Sequence, residues 1–343
     1  MTVSRQTAVI AATGLTLALA SVPPLAHAES AVATVVFDKR GDHSWTVPAG
    51  VSQWVTFEVW GGGGGGAGGG AGAGGGGGGG RQYGVGGFGG SGGKGGGGGG
   101  GAGGGYVKCQ MFVSEGQRVT VRVGDGGHSG AAGRSPGKGG AGGAGGFSSA
   151  RSGANGTGPG TPYARNGGGG QNTLVWTTDS RGNANIRARA YGADGGKADT
   201  GLATAGKGGP YGEEAYTPAG ADGTTPAGGK GGTGGNIQAS ELHCEDKWPL
   251  VKSPGSAGAG AQGNRGGTGG DAGKDTDSTD TPTYGQGGAG GDGGAGGDSG
   301  YRGNGGPAAD DKDGKAGGDG APGADGVPGR DGAVKFTWTP ANA

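Results

Sequence analysis

From Gly285 to Gly306 a glycine returns at every third position, and after a break across Ala308 to Asp313 the phase resumes from Gly314 to Gly332. Shorter runs at 137–146 and 229–235 keep the same period. Three residues is the repeat of an extended left-handed helix of the polyproline II type, which has no internal hydrogen bonds. A chain built this way must find partners for its N–H and C=O groups outside the segment. That requirement leaves three outcomes: a collagen-like trimer, a disordered linker, or a lattice of extended helices closed within one chain.

Composition weighs these outcomes. Glycine accounts for 105 of 343 residues, so many triplets carry a second or third glycine. Collagen uses glycine on one edge only and contains roughly 15–20% proline, whereas this chain has 16 prolines in all. Residues 314–332 are collagen-like only locally. Disorder usually comes with high net charge, and here the formal net charge is zero. Extra glycines are useful if bare backbones approach and pair side by side. An interior helix then needs glycine on more than one face, and an outer helix on only one. We therefore expect a bundle of antiparallel polyglycine II helices, with disorder and a trimer as the alternatives.

Large apolar residues are confined to islands. Val55, Phe57 and Val59 alternate with Thr56 and Glu58 in the island 34–60. Val107, Cys109, Met111 and Val113, then Val119, Val121 and Val123, alternate in 106–123, and Ser114-Glu115-Gly116-Gln117 between them reads as the turn of a hairpin. A weaker island covers 173–191, and Val334, Phe336 and Trp338 alternate in 333–339. An amphipathic strand cannot bury its face alone. The expected fold is all-β, an antiparallel β-sandwich with long glycine-rich insertions at 61–105, 124–172 and 192–332.

Residues 1–28 read as a secretory signal peptide: Arg5, an apolar stretch to Ala20, a break at Pro23-Pro24, and Ala26-His27-Ala28. A membrane anchor is the alternative. Residues 29–343 then form one exported domain. No second long apolar run follows, so no membrane span is expected, and a neutral chain has no electrostatic pull towards nucleic acid. Cys109 and Cys244 in an exported chain suggest one disulfide; two free thiols are the alternative.

Motifs for chemistry are weak. No Gly-Lys precedes Ser or Thr, so a P-loop is missing. Gly89 to Gly93 fits a nucleophile elbow formally but has no hydrophobic strand before it. Gly287 to Asp292 and Gly293 to Asp298 match the start of a Ca²⁺-binding nonapeptide, yet Gly294 and Gly300 occupy its apolar position. Asp292 and Asp298 therefore read as a solvated ladder, with Ca²⁺ binding as the alternative. His243, with Cys244, Glu241, Glu245 and Asp246, reads as an anchored loop rather than a metal site. We expect no catalytic residue and no cofactor.

The segment from Ser44 to Val51, a strand ending Val59-Trp60 and the polyglycine run after it resemble the glycine-rich domain of phage tail proteins and secreted bacterial proteins. A related module occurs outside the membrane in receptors of the anaplastic lymphoma kinase family. The strand pair from Gly105 to Gly124, Gly-Gly-Phe-Ser-Ser at 145–149 and the strand 332–339 continue the likeness. The resemblance implies a β-sandwich with inserted polyglycine II helices, and binding or display outside the cell. The two cysteines and the charged segment 192–285 depart from it.

The expected function is thus a secreted, non-enzymatic structural or adhesive protein. Its partner would be an extracellular surface, a glycan or a protein, with self-association a further option. Loop tips are the expected contact points, at 81–88, 155–166 and 275–284, with Tyr83 and Phe88 the leading residues. Ice or ordered-surface binding by a flat bundle is one alternative; a Ca²⁺-dependent glycine-repeat surface protein is another.

Overall fold

The computed structural model describes residues 32–81, 86–144, 151–160, 163–199, 201–208, 210, 219–230, 232, 251–275, 283–302 and 313–340. Among these there is no helix. The strands are β1 (Ala33–Phe37), β2 (Gly41–Thr46), β3 (Gln53–Trp60), β4 (Tyr106–Val113), β5 (Arg118–Val123), β6 (Thr173–Thr178), β7 (Ala184–Ala190), β8 (Val251–Ser253) and β9 (Ala333–Trp338). They form two sheets, ordered β1-β9-β3-β4-β8 and β2-β5-β6-β7. Every pairing is antiparallel.

Alternation in the sequence places the core. Val55, Phe57, Val59, Val107, Cys109, Met111, Val119, Val121, Val334 and Phe336 are all buried, and they share one cluster with Phe37, Trp45 and Val175. Both sheets therefore contribute to the same core. The Trp45 ring stacks on Phe336 at 4.6 Å and tilts against Trp338 at 5.4 Å. The first and last islands meet in one sheet, where Phe57 lies opposite Phe336.

One expectation is corrected. Residues 106–123 are not a hairpin, because β4 pairs with β3 and β8 while β5 pairs with β2 and β6. The turn at Ser114–Gln117 carries the chain from one sheet to the other. Both strands bury the same kind of face in the shared core, so alternation alone does not separate the two arrangements. Strand β8, inside the expected insertion, escapes sequence reading because three residues are too few to show a period.

The glycine-rich segments run as extended tracts. We number them in chain order: tract 1 (61–80), tract 2 (86–105), tract 3 (124–144), tract 4 (151–160 and 163–172), tract 5 (191–199 and 201–208), tract 6 (219–230 and 232), tract 7 (254–262), tract 8 (263–275), tract 9 (285–302) and tract 10 (313–332). Tract 1 follows β3 directly and tract 2 leads directly into β4.

Backbone bonds recur every third residue and define how the tracts pack. Gly64 N–H donates to Ala102 of tract 2, Gly65 to Gly168 of tract 4, and Gly66 to Val327 of tract 10. The same residues' carbonyls, with that of Gly63, accept from Gly288 of tract 9, Gly196 of tract 5 and Gly127 of tract 3. Tract 1 thus pairs with six neighbours. Tract 2 does the same: it donates to tracts 5, 7 and 9 and accepts from tracts 1, 6 and 8.

The remaining eight tracts form a ring around this pair, in chain order. Bonds join 3 to 4 (Thr157 to Lys138), 4 to 5 (Gly170 to Ala193), 5 to 6 (Lys207 to Ala221) and 6 to 7 (Ala261 to Gly229). They continue from 7 to 8 (Ala259 to Thr268), 8 to 9 (Gly290 to Gly267) and 9 to 10 (Ala321 to Ala295), and Gly320 to Gly137 closes 10 onto 3.

Glycine is required where backbones touch. A Cβ on Gly61, Gly64 or Gly76 would overlap a carbonyl of tract 5, and one on Gly68 or Gly74 a carbonyl of tract 3. Yet Ala67, Ala71 and Ala73 are buried in tract 1. Their positions have a cause. Between the partners of Gly64 (Asp194) and Gly76 (Lys207), tract 5 holds one residue more than tract 1, opposite Ala67 and Ala73. Tract 3 gains one residue between Ala131 and Lys138, opposite Ala71. The methyl groups occupy places where a neighbouring tract falls out of step.

At the rim, side chains replace missing backbone acceptors. Asp319, Asp325 and Asp331 of tract 10 accept from the N–H groups of Gly139, Ala132 and Gly126 at 2.8, 2.7 and 2.7 Å. Asn155, Asn166 and Asn172 of tract 4 accept likewise from Gly208, Ala198 and Gly192 of tract 5. The Gly139 N–H, then Lys138 beside it, holds the Asp319 carboxyl below its ordinary range; the Ala132 N–H, then Arg134, does so for Asp325. A carboxylate with a lowered pKa stabilises the fold above its unfolded value, about 3.9. That contribution is lost as pH falls through the folded value. Thermal melts between pH 5 and 2 should show stability falling with acid, and falling less steeply in Asp319→Asn/Asp325→Asn. Equal slopes would remove the carboxylates from the account.

Candidate functional site

Among the described residues, the ring is incomplete along part of tract 2. Tracts 7 and 8 meet in a tight turn in which Gln262 and Arg265 bond to each other and Gly263 takes a positive φ of 58°. Tract 2 records where they stop. A Cβ on Gly97, Gly100 or Gly103 would overlap a carbonyl of Arg265, Thr268 or Asp271 in tract 8. Continuing the same phase beyond Gly97, the residues are Lys94, Ser91 and Phe88. Side chains return to an interior tract once its neighbours end, and the result is a notch flanked by tracts 6 and 9.

Both flanks contribute groups. Asp222 of tract 6 accepts from the Ser91 hydroxyl at 2.8 Å and from its N–H at 2.7 Å, and these donors keep its carboxyl below the ordinary range. Thr225 Oγ1 accepts from the Lys94 N–H at 3.1 Å. From tract 9, the Tyr301 ring meets Phe88 edge-on at 6.2 Å, and the Arg302 guanidinium lies 4.8 Å from the Phe88 ring centre. A cation over a ring face is attracted by its quadrupole. Tyr301 is 68% exposed and Phe88 37%. The backbone beneath is fixed, because the Tyr301 carbonyl accepts from Lys315 and Gly89 donates to Gly300.

The site residues expected from sequence fall as follows. Phe88 lies in the notch, and Tyr83 lies outside the described residues. Cys109 is buried on β4 within the core. Cys244, and with it the expected disulfide, lies outside the described residues, as does the cluster around His243. Asp292 accepts from the Gly266 N–H at 2.7 Å, so it ties tract 9 to tract 8. Asp298 is exposed. Among the described residues, no group of three or more His, Cys, Asp and Glu is arranged to hold a metal ion. No described helix is long and apolar enough to cross a membrane.

The expected tips need one correction. Residues 155–160 and 163–166 are not a tip but part of tract 4, in which Arg165 and Thr157 accept from Gly68 and Gly74 of tract 1. Tyr284 sits at the sheet end, with its ring 5.5 Å from Trp60. A loss of glycine phase marks irregularity and does not say at which height it occurs. Ser91 stood out only as the centre of a formal nucleophile elbow, and Lys94, Tyr301 and Arg302 did not stand out, although the switch from Gly97 to Lys94 in one phase was the available signal. No family model and no curated protein matches this sequence.

Proposed function

We propose that the tracts are polyglycine II helices, that the two sheets close as a β-sandwich, and that the protein is a secreted, non-enzymatic structural and adhesive protein. The observation that carries this reading is the pairing of tract 1 with six neighbours. A backbone tied on every side is a rigid post, suited to holding a contact surface away from the sheets. The notch is that surface. Phe88 to Lys94 covers about 19 Å at the ~3.1 Å rise of a polyproline II helix. Two aromatic rings and the cations Lys94 and Arg302 along that length suit an extended acidic glycan.

The flat row on tracts 5 and 6 is a weaker candidate for ice. Thr204 and Thr224 hydroxyls bond to each other at 2.9 Å, and the exposed lysines 197, 207 and 230 interrupt the row. Retention on immobilised alginate, a polyuronate, tests the notch against neutral dextran. We expect Phe88→Ala/Lys94→Ala/Arg302→Ala to bind alginate about tenfold more weakly, with an unchanged melting temperature. Retention should also fall with added salt, because exposed charges are screened. Undiminished retention of the variant on alginate would exclude the notch as the contact.

A further inference from the structure

We infer that a second site, a pocket for a small planar apolar anion, lies on the flank of the bundle between tracts 4 and 5. Tract 3 gains one residue on tract 1 between Gly133 and Gly137, whose N–H groups donate to Gly69 and Gly72. Tract 4 gains two: Arg165 and Thr157 accept from Gly68 and Gly74, eight residues against six. Tract 5 gains one between Gly196 and Gly206, which donate to Gly65 and Gly74. Three adjacent tracts therefore carry surplus residues at one height, while tract 6 keeps its register with tract 2 from Gly220 to Gly229.

One slip in a lattice can be absorbed by a methyl group, as Ala71 shows. Three coincident slips open a space. That space is lined by Tyr163, Ala164, Arg165 and Asn166 of tract 4 and by Ala198, Asp199 and Leu202 of tract 5, with a volume of about 560 Å³. A smaller cavity that shares Tyr163, Ala164, Asp199 and Leu202 with it reaches Gly70, Ala71 and Gly96 of the interior tracts. A pocket of this size suits a small ligand. Tyr163 and Leu202 are 55% and 48% exposed, which is high for residues at mid-height on a bundle whose other outward positions are mostly small or charged.

The polar groups set the ligand's charge. Both Asp199 oxygens are occupied, by the N–H groups of Gly201 and Gly228 at 2.7 Å each. The Asn166 carbonyl oxygen accepts from Ala198 at 2.8 Å. Arg165 has no side-chain partner among the described residues, so its guanidinium is the group left to meet a ligand. An aromatic body between Tyr163 and Leu202, with a sulfonate or carboxylate on Arg165, satisfies the apolar wall and the cation together.

The probe is 8-anilinonaphthalene-1-sulfonate, titrated against the folded protein and followed by fluorescence. We expect saturable binding at one site. Leu202→Asp and Arg165→Gln should each weaken it about tenfold. Phe88→Ala and Trp54→Ala, which remove aromatics exposed elsewhere, should leave it unchanged. Circular dichroism confirms that the variants keep the fold, and Arg165→Lys distinguishes lost charge from lost packing. Binding that survives both pocket variants, or that is lost with Phe88→Ala or Trp54→Ala, overturns the assignment.

Discussion

Gly69→Ala should destabilise the protein by about 3 kcal/mol or more, whereas Gly70→Ala, one residue on, should leave it unchanged or up to about 1 kcal/mol more stable. The two positions differ in what lies beyond them. A Cβ on Gly69 would overlap the Asp292 carbonyl, which is backbone and has no rotamer to yield. Moving tract 9 away would stretch the bonds from Gly291 to Ala67 and from Gly294 to Gly70, both 2.8 Å. A Cβ on Gly70 meets nothing nearer than Gly96 at 3.5 Å, ordinary contact. Gly70 also shares its phase with Ala67 and Ala73, beside the slip in tract 5. There the methyl removes backbone freedom from the unfolded chain without a clash. Chemical denaturation of the two variants in parallel makes the comparison. Equal effects would mean that the tracts are not packed as described.

Phe336→Ala should cost about 3–5 kcal/mol and abolish sheets and tracts in one transition. Phe336 is fully buried, and its ring meets Phe37, Trp45 and Phe57. It sits on β9 between β1 and β3. Tract 1 leaves β3 where Trp60 lies opposite Ala333, the residue at which tract 10 enters β9. Loosening β9 therefore frees the roots of an interior tract and of the tract that closes the ring. Glycine loses more freedom on folding than any other residue, so tracts without anchored ends should not hold. Tryptophan fluorescence and the polyproline II band in circular dichroism should disappear at one denaturant concentration. A band that outlasts the fluorescence change would show that the tracts stand without the sheets.

Much of this was legible in the sequence because two periods carry it. Period two in Val55–Val59, Val119–Val123 and Val334–Trp338 placed the core, since a strand exposes alternate faces. Period three in the glycines implied neighbours, since an extended helix cannot bond to itself. Which tract neighbours which was not legible: glycine rows on tracts 9 and 10 look alike, and only the bonds distinguish them. The hairpin misreading at 106–123 has the same origin, because two strands facing one core share a pattern whether or not they pair. The notch was partly legible. Phe88 stood out as an aromatic residue, but its alignment with Ser91 and Lys94 gains meaning only once tract 8 is known to end beside Gly97.

Amide hydrogen exchange tests the central claim, that two interior tracts are paired on all sides within a ring. In tract 1 the N–H groups of Gly64, Gly65 and Gly66 donate to three different tracts. Apart from Ala71, whose N–H has no backbone acceptor among the described residues, all three phases should therefore exchange slowly, at the rate of global unfolding. In tract 9 the N–H groups of Gly287, Gly288, Gly290 and Gly291 are bonded, while those of Ala289, Asp292 and Ala295 have no backbone acceptor among the described residues. Protection there should repeat as two slow and one fast. Slow exchange in all three phases of tract 1, Ala71 apart, beside a three-residue rhythm in tract 9 is the predicted result. Fast exchange throughout tract 1, or the same pattern in both tracts, would contradict it.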